Sequence, residues 1–306
     1  MSETVLVTGA SGFLGAHCVA RFAARGASVV AVWNSGANQI PTTPATGVRY
    51  VQCDLTDSDA VARLFEEPVH AVVHAAALLA DGRPHYLRRA ARTNVSVTAD
   101  LVSNARAAKC ARFVYCSSMS IFVSTPCPTD GWNEDALARP LHEYGWSKLA
   151  GEDCVRIATK EHSMIGVSLR LAGIHGPGRR GGALYAFVRA ALADAPLSLT
   201  NAEMPLQLSF VADAADAVVA AATVSLPMGH HRINVASHTF PTLRILAQQV
   251  VAATKSASLI SEAEAPGPGP QVMDTRRQYA LLGLSEPHIG ARLAEMIEWV
   301  RTLDAK

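Results

Sequence analysis

Near its start the chain carries a strand-length apolar run, "TVLVTG", followed by "FLGAHCVARFAARG", in which apolar positions recur at helical spacing. The alternation continues through the apolar runs "ASVVAVW", "VRYVQC", "HAVVHAAA" and "ARFVYCSS", separated by the helical patterns "DSDAVARLFEE" and a long helix through "TNVSVTADLVSNARAAK". A further unit joins the helix "YGWSKLAGEDCVRIATKE" to the strand "IGVSLRL". Strands that are apolar throughout, rather than at every second position, are those covered by helices on both faces. The rhythm therefore predicts an α/β fold with a doubly wound parallel sheet over residues 1–175.

Beyond about residue 175 the rhythm changes. "GIHGPGRRGG" reads as a loop, and behind it come the helix "ALYAFVRAALAD", short strands, and the helices "ADAADAVVAAATV" and "TLRILAQQVVAAT". "GHHR" at 229–232 reads as a loop leading into a strand. "EAPGPGPQ" at 264–271 is neither helix nor inner strand, because its prolines lack N–H donors and its glycines favour turns. The closing amphipathic run is "IGARLAEMIEWVRTL". Residues 176–306 are expected to form mainly a smaller α/β lobe that holds the substrate, with some segments returning to the first sheet.

Composition narrows the function classes. Of 306 residues 49% are hydrophobic and 17% charged, enough for a sizeable core. The 27 basic and 26 acidic side chains nearly cancel, so no overall field draws nucleic acid or an anionic membrane, and a small-molecule substrate is expected. No apolar stretch reaches the roughly 20 residues of a membrane span, and no charged leader precedes the first strand, so a cytoplasmic location is expected. The six cysteines form no CxxC pair and read as free, mostly buried thiols. The 11 histidines show no H-E-x-x-H or H-x-x-E-H spacing, so no metal is expected.

The candidate chemistry starts at "TGASGFLG", residues 8–15, between the first strand and helix. Gly9 suits a tight turn, Gly12 lets backbone approach a pyrophosphate, and Gly15 lets the helix pack close to the strand. With Ser11, Phe13 and Leu14 at the helix start, these residues make a candidate phosphate cradle, since free N–H groups and the positive dipole end meet the ligand there. At the end of the second strand a carboxylate would grip the ribose diol of NAD. This chain has Trp33, Asn34 and Ser35 there and no arginine, so NAD and NADP both stay open. "CDLTD" sets Asp54 and Leu55 at the mouth of the cleft, where Asp54 can accept from an adenine amine; Asp57 suits a helix cap better.

"YGWSK" puts Tyr144 and Lys148 four residues apart on one helix face. A phenol with a pKa near 10 needs a nearby cation to work at neutral pH, and Lys148 is placed to supply it. "VYCSSMSIF" ends a core strand in the hydroxyls of Ser117 and Ser118, at the edge where open α/β sheets bind ligands.

In order, "TGASGFLG", "CDLTD", "VVHAAAL", "TNV", "VYCSSMSIF", "YGWSK", "SLRLAGIHGPG", "SFVADAADAVVAA" and "INVASHTFPTLRILA" resemble the extended short-chain dehydrogenase/reductase superfamily, the NAD-dependent epimerase/dehydratase family. The resemblance implies a Rossmann-type sheet, with NAD(P) bound over residues 1–175. It also implies Ser118, Tyr144 and Lys148 as a catalytic triad, with Ser117 beside them on the cofactor side. Asn94 is implied as a helix asparagine that organises the site, Ala75, Ala76 and Ala77 as lining for adenosine and ribose, and Leu171 for the nicotinamide. Ser118, Met119, Tyr144, Gly173, His175 and Arg179 are the candidate substrate residues. A homodimer through the long helices before Lys109 and around Tyr144 is implied as well.

The chain departs from the family pattern in ways that bear on the substrate. Met119 and Ser120 replace the Asp-Glu pair of 4,6-dehydratases, Gly173 an epimerase asparagine, and His175 the usual tyrosine. Leu208 and Gln271 or Val272 stand where two arginines grip a nucleotide diphosphate, with Arg179, Arg180, Arg276 and Arg277 available to compensate. The expectation is an NAD(P)-dependent oxidoreductase acting on a carbonyl or secondary alcohol of a sugar-like or small polar molecule. Alternatives are a nucleotide-sugar epimerase that retains NAD, or a catalytically silent NAD(P)-binding regulator.

Overall fold

The computed structural model describes residues 3–35, 43–122, 126–160, 164–265, 269–285 and 289–304. Its centre is a seven-stranded parallel sheet of β1 (Thr4–Thr8), β2 (Ser28–Trp33), β3 (Val48–Gln52), β4 (Ala71–His74), β5 (Arg112–Ser118), β6 (Ile165–Leu171) and β10 (Gly229–Val235), in the order β10-β6-β5-β4-β1-β2-β3. The order reverses between β1 and β4, which opens a crevice at the carboxyl ends of those strands. β4, β5 and β6 are almost wholly buried, as continuous apolar runs require. The edge strand β3 is half exposed, because only one neighbour covers it.

Helices cover both faces. On one, α1 (Phe13–Ala24) and α7 (Val211–Thr223) pack over Val5, Val7, Val114 and Leu169. On the other, α2 (Ser58–Arg63), α4 (Val97–Ala107) and α5 (Glu143–Ala158) pack over Leu6, Val72 and Phe113. Asp57 caps α2, its Oδ1 accepting from the N–H groups of Asp59 and Ala60 at 3.0 and 3.1 Å. α3 (Tyr86–Ala90) runs into a π-helical turn, Ala91–Ser96, before α4, so the long helix expected there is interrupted where Asn94 sits.

A separate core lies under the C-terminal half. It joins α6 (Ala183–Leu192), β8 (Leu197–Thr200), β9 (Leu208–Phe210), α8 (Leu243–Thr254) and α10 (Ile289–Asp304). β9 pairs with β7 (Gly173–His175), and β11 (Ile260–Ala263) with β8. α9 (Arg276–Leu282) packs back on β10. "GHHR" corrects the sequence reading: Gly229 to Arg232 are strand, paired in register with Ile165 to Ser168. Their polar side chains hid the strand, and hydrogen bonding to β6 decided it. Residues 266–268 of the proline-rich segment lie outside the described residues. The six cysteines are free thiols.

Candidate functional site

The glycine turn shows why each glycine stands there. Gly9 has φ +70°, and a Cβ on it would lie 2.8 Å from the Ala76 nitrogen, so the ends of β1 and β4 approach without a side chain between them. A Cβ on Gly15 would lie 2.0 Å from the Gly9 carbonyl oxygen. Gly12 is the N-cap of α1, with no side-chain capping bond and no acid in the first turn, so the helix's leading N–H groups face a cleft. That cleft has a volume of about 1360 Å³, above the usual range of single-ligand pockets, roughly 300–1,000 Å³.

Most of the expected site residues line it together. Gly9, Ser11, Gly12, Phe13, Leu14 and Gly15 meet Asn34, Ser35, Asp54 and Leu55 at one end. Ala75, Ala76 and Ala77 form its floor, and Ser117, Ser118, Met119, Tyr144, Lys148, Leu171, Gly173 and Arg179 its other end. The Ser11 hydroxyl donates to the Ser35 carbonyl at 2.7 Å, and Gln52 Nε2 donates to the Asn34 carbonyl at 3.3 Å, which holds the end of β2 open beside the turn. Asp54 Oδ1 accepts from the backbone and hydroxyl of Thr56, both at 2.9 Å, and these bonds lower its pKa.

At the other end of the cleft, Ser118 Oγ accepts from the Ser120 N–H at 3.2 Å and the Ser120 hydroxyl at 3.0 Å. Its own proton is left to donate into the cleft. Lys148 is 2% exposed, and its Nζ donates to the Cys116 carbonyl at 2.7 Å while lying 5.8 Å from the centre of the Tyr144 ring. Burial lowers the Lys148 pKa to about 8. Burial also raises that of Tyr144, with Tyr86 and Cys116 adding to the rise. This corrects the expectation that Lys148 depresses the tyrosine pKa: its ammonium is turned to a carbonyl, and desolvation of the phenol dominates. Tyr144 is held as a neutral O–H donor at neutral pH.

Three further expectations are corrected. Asn94 is 1% exposed and is not among the residues that line the cleft. Its amide grips the Leu78 backbone from both sides, at 2.7 and 3.0 Å, and donates to Ser147 Oγ at 3.0 Å; Ser147 in turn donates to the Tyr144 carbonyl at 2.8 Å. It therefore braces the start of α5 against the loop after β4. The Ser117 hydroxyl points into the protein and donates to Glu152 Oε1 at 2.5 Å, leaving only its remaining atoms on the cleft. His175 is not among the lining residues; its ring faces Gly182, and burial lowers its pKa to about 4.

Behind these residues a buried polar chain joins the cradle to the brace. Thr98 Oγ1 donates to the Asn94 carbonyl at 2.6 Å and so accepts from His74 Nε2 at 3.1 Å. His74 Nδ1 then accepts from Thr8 Oγ1 at 2.7 Å, and Thr8 Oγ1 accepts from the Ala76 N–H at 3.3 Å. The bonds assign a neutral imidazole protonated at Nε2. Burial lowers its pKa to about 3, with Lys148 contributing.

A family model, the NAD dependent epimerase/dehydratase family, matches residues 5–236. The chain belongs to that family. It is an NAD(P)-dependent enzyme of the oxidoreductase and epimerase type, in the extended short-chain dehydrogenase/reductase group. It is 32% identical over 280 residues to a Kitasatospora kifunensis dTDP-6-deoxy-L-talose 4-dehydrogenase (NAD(P)(+)), covering 87% of this chain and 84% of that one. The Bordetella bronchiseptica enzyme WbmH, solved in complex with NAD+, superposes with a TM-score of 0.81 at 25% identity, over 98% of this chain and 99% of that one. A Thermotoga maritima UDP-glucose 4-epimerase shares the fold at 19% identity, with a TM-score of 0.85 over 98% and 99% of the two chains.

For a member of this family the cleft holds residues that motif reading missed. Thr56, Arg92 and Cys116 line it, as do Trp33, which the sequence placed at the end of the second strand, and Arg180, which it marked only as a compensating arginine. Arg92 Nη2 donates to Thr56 Oγ1 at 3.4 Å. No local motif marks Arg92, because only the π-turn brings it beside the end of β3. Of the four arginines available to replace the missing diphosphate contacts, Arg276 pairs with Asp274 and Arg277 with Asp135 and Glu134. Leu208 and Val272 are buried, so neither position offers a polar contact. Among the described residues no three His, Cys, Asp or Glu side chains gather as a metal site, and no helix is long and apolar enough to cross a membrane.

Proposed function

We propose that the chain transfers hydride between a nicotinamide cofactor and a sugar carbon bearing a carbonyl or secondary alcohol, with Ser118, Tyr144 and Lys148 as the catalytic residues. The observation that carries this reading is the meeting of these three side chains in one cleft with the uncapped N-terminus of α1. The glycine cradle, which added Cβ atoms would fill, fits a dinucleotide diphosphate. Gly12, Phe13 and Leu14 would hold that diphosphate, Asp54 and Leu55 the adenine, and Leu171 the nicotinamide side. Asn34 and Ser35, which stand at the end of β2 where an acid would select NAD, suit NAD or NADP. When bound, the cofactor supplies or accepts the hydride.

The protein's own part is proton transfer and orientation. The Tyr144 phenol, kept protonated by its burial, gives its Oη proton to the substrate oxygen in the reducing direction. The Ser118 hydroxyl, already accepting twice from Ser120, donates its hydrogen to the same oxygen and stabilises the charge growing there. Lys148, with its pKa lowered to about 8, remains mostly a cation at neutral pH and makes the site favourable for that charge. Met119 and Gly173 form the substrate wall, and Asn94 positions Tyr144 through Ser147.

The substrate class we infer is a nucleotide-linked deoxysugar, a reading supported by the Kitasatospora relative, a dTDP-6-deoxy-L-talose 4-dehydrogenase. We further infer a cytoplasmic homodimer joined through α4 and α5, whose exposed Trp146 and Ile157 suit a helical interface. Elution as a single 32.3 kDa subunit would overturn the dimer. The catalytic reading is tested by following NAD(P)H consumption with dTDP-4-keto-6-deoxysugars. Tyr144→Phe is expected to lose about 10²–10⁴-fold in turnover while binding cofactor as the parent does. Full activity in that variant removes Tyr144 from the chemistry.

A further inference from the structure

The loop between β7 and α6 is a built element. Gly176, Gly178 and Gly182 take φ values of +140°, +102° and +83°, conformations that bend the chain sharply and suit glycine. It is seated on the start of α1: a Cβ on Gly178 would lie 3.3 Å from the Phe13 ring, and the His17 ring hydrogen-bonds the Pro177 backbone. Inside the loop, the Arg179 N–H donates to the Gly176 carbonyl at 3.2 Å, and Arg179 Nη1 to the Ile174 carbonyl at 2.9 Å. Arg179 is thereby tied back to its own loop. Arg180 lines the same cleft, is exposed, and has no acid or carbonyl partner among the described residues. Two residues span at most ~7 Å, so Arg180 starts within that reach of Gly178, which abuts the ring of Phe13, the first residue of α1.

We propose that Arg180 binds the phosphoanhydride of the dinucleotide above the N-terminus of α1, so that the loop following the first β/α half of the chain supplies a charge partner for the cofactor. The proposal rests on the cofactor reading given above. The chemistry is complementary. Backbone N–H groups at an uncapped helix start approach a diphosphate from one side, and a guanidinium presents a planar fork of donors to its oxygens from the other. Among the described residues the one carboxylate on the cleft wall, Asp54, lies beyond the end of β3 among Cys53, Leu55 and Thr56. A phosphoanhydride could also arrive on a nucleotide sugar, and the experiment separates the two sources.

Isothermal titration calorimetry on the purified full chain would compare the parent, Arg180→Ala and Arg180→Lys, with NAD+, ADP-ribose and adenosine as probes. Thermal melts of the unliganded proteins would verify that the variants fold. The expected result is a rise of about tenfold or more in Kd for NAD+ and ADP-ribose in Arg180→Ala, an unchanged weak affinity for adenosine, and partial recovery in Arg180→Lys. The salt dependence of ADP-ribose binding should also flatten in Arg180→Ala. Kd values within twofold of the parent overturn the proposal. If they stay unchanged while KM for a dTDP-sugar rises, the arginine serves the substrate, and the proposal is equally overturned. A parent protein that binds neither NAD+ nor ADP-ribose, nor NADP+ in a further titration, overturns the cofactor reading itself, a failure distinguishable from that of Arg180 alone.

Discussion

Gly12 and Gly15 lie three residues apart in one motif, yet the structure separates their roles sharply enough to test. A methyl group at Gly15 would sit 2.0 Å from the Gly9 carbonyl oxygen and 2.7 Å from its carbon, both rigid backbone atoms. Relief to an ordinary contact near 3.4 Å requires α1 to move by about 1.4 Å. α1 buries Cys18, Val19 and Phe22 against the sheet, and a radial gap of even ~0.5–1 Å forfeits a quarter to a half of each dispersion contact. Gly15→Ala should therefore cost about 3 kcal/mol or more, at or above the upper end of ordinary overpacking. A methyl group at Gly12 meets the Gly9 oxygen at 3.1 Å, and the backbone there, φ −83° and ψ 167°, suits any residue. Gly12→Ala should cost less than about 1 kcal/mol, yet its methyl group would stand where the proposed diphosphate approaches the backbone. Urea denaturation of the unliganded proteins, paired with calorimetric titration of NAD+, reads the two effects separately. The expected pattern is near-parent stability with weakened NAD+ binding for Gly12→Ala, and a melting temperature lower by several degrees for Gly15→Ala, at about 2–4 °C per kcal/mol. Equal stability of the two variants would refute the steric argument.

Two further outcomes follow from the buried charges. Because burial lowers the Lys148 pKa from 10.5 to about 8, the unfolded chain binds more protons between those values. Stability should climb as pH rises through that window, by about 3 kcal/mol from this residue, and be lowest below pH 8. Urea unfolding at pH 7.5 and pH 10 should lose this increment in Lys148→Met; the same increment in both proteins would assign it elsewhere. Arg170 donates to both Glu152 oxygens, and the two side chains are 1% and 4% exposed, so Arg170→Leu strands a buried carboxylate and should cost about 3–5 kcal/mol. Arg170→Leu combined with Glu152→Leu should recover part of that loss, and a cost below about 1 kcal/mol for the single variant would contradict the buried pairing.

What local sequence could specify, it specified well. The apolar runs are strands because covering helices bury both faces, and "TGASGFLG" makes its tight turn because Gly9 and Gly15 permit approaches that a Cβ would block. Tyr144 and Lys148 share a face because a helix turns every 3.6 residues. Asp57 caps α2 for reasons contained in its own short side chain.

Contacts between distant segments decided the rest. "GHHR" is a strand because β6 supplies its hydrogen bonds, which no property of those four residues announces. Asn94 became a brace and Ser117 a partner of Glu152 only when the fold brought Leu78, Ser147 and α5 within reach. Lys148 faces the Cys116 carbonyl and Arg180 the cleft for the same reason. Backbone geometry and periodicity are short-range and can be read along the chain. The direction in which a polar side chain spends its hydrogen bonds depends on whichever groups packing places beside it, and those lie tens of residues away.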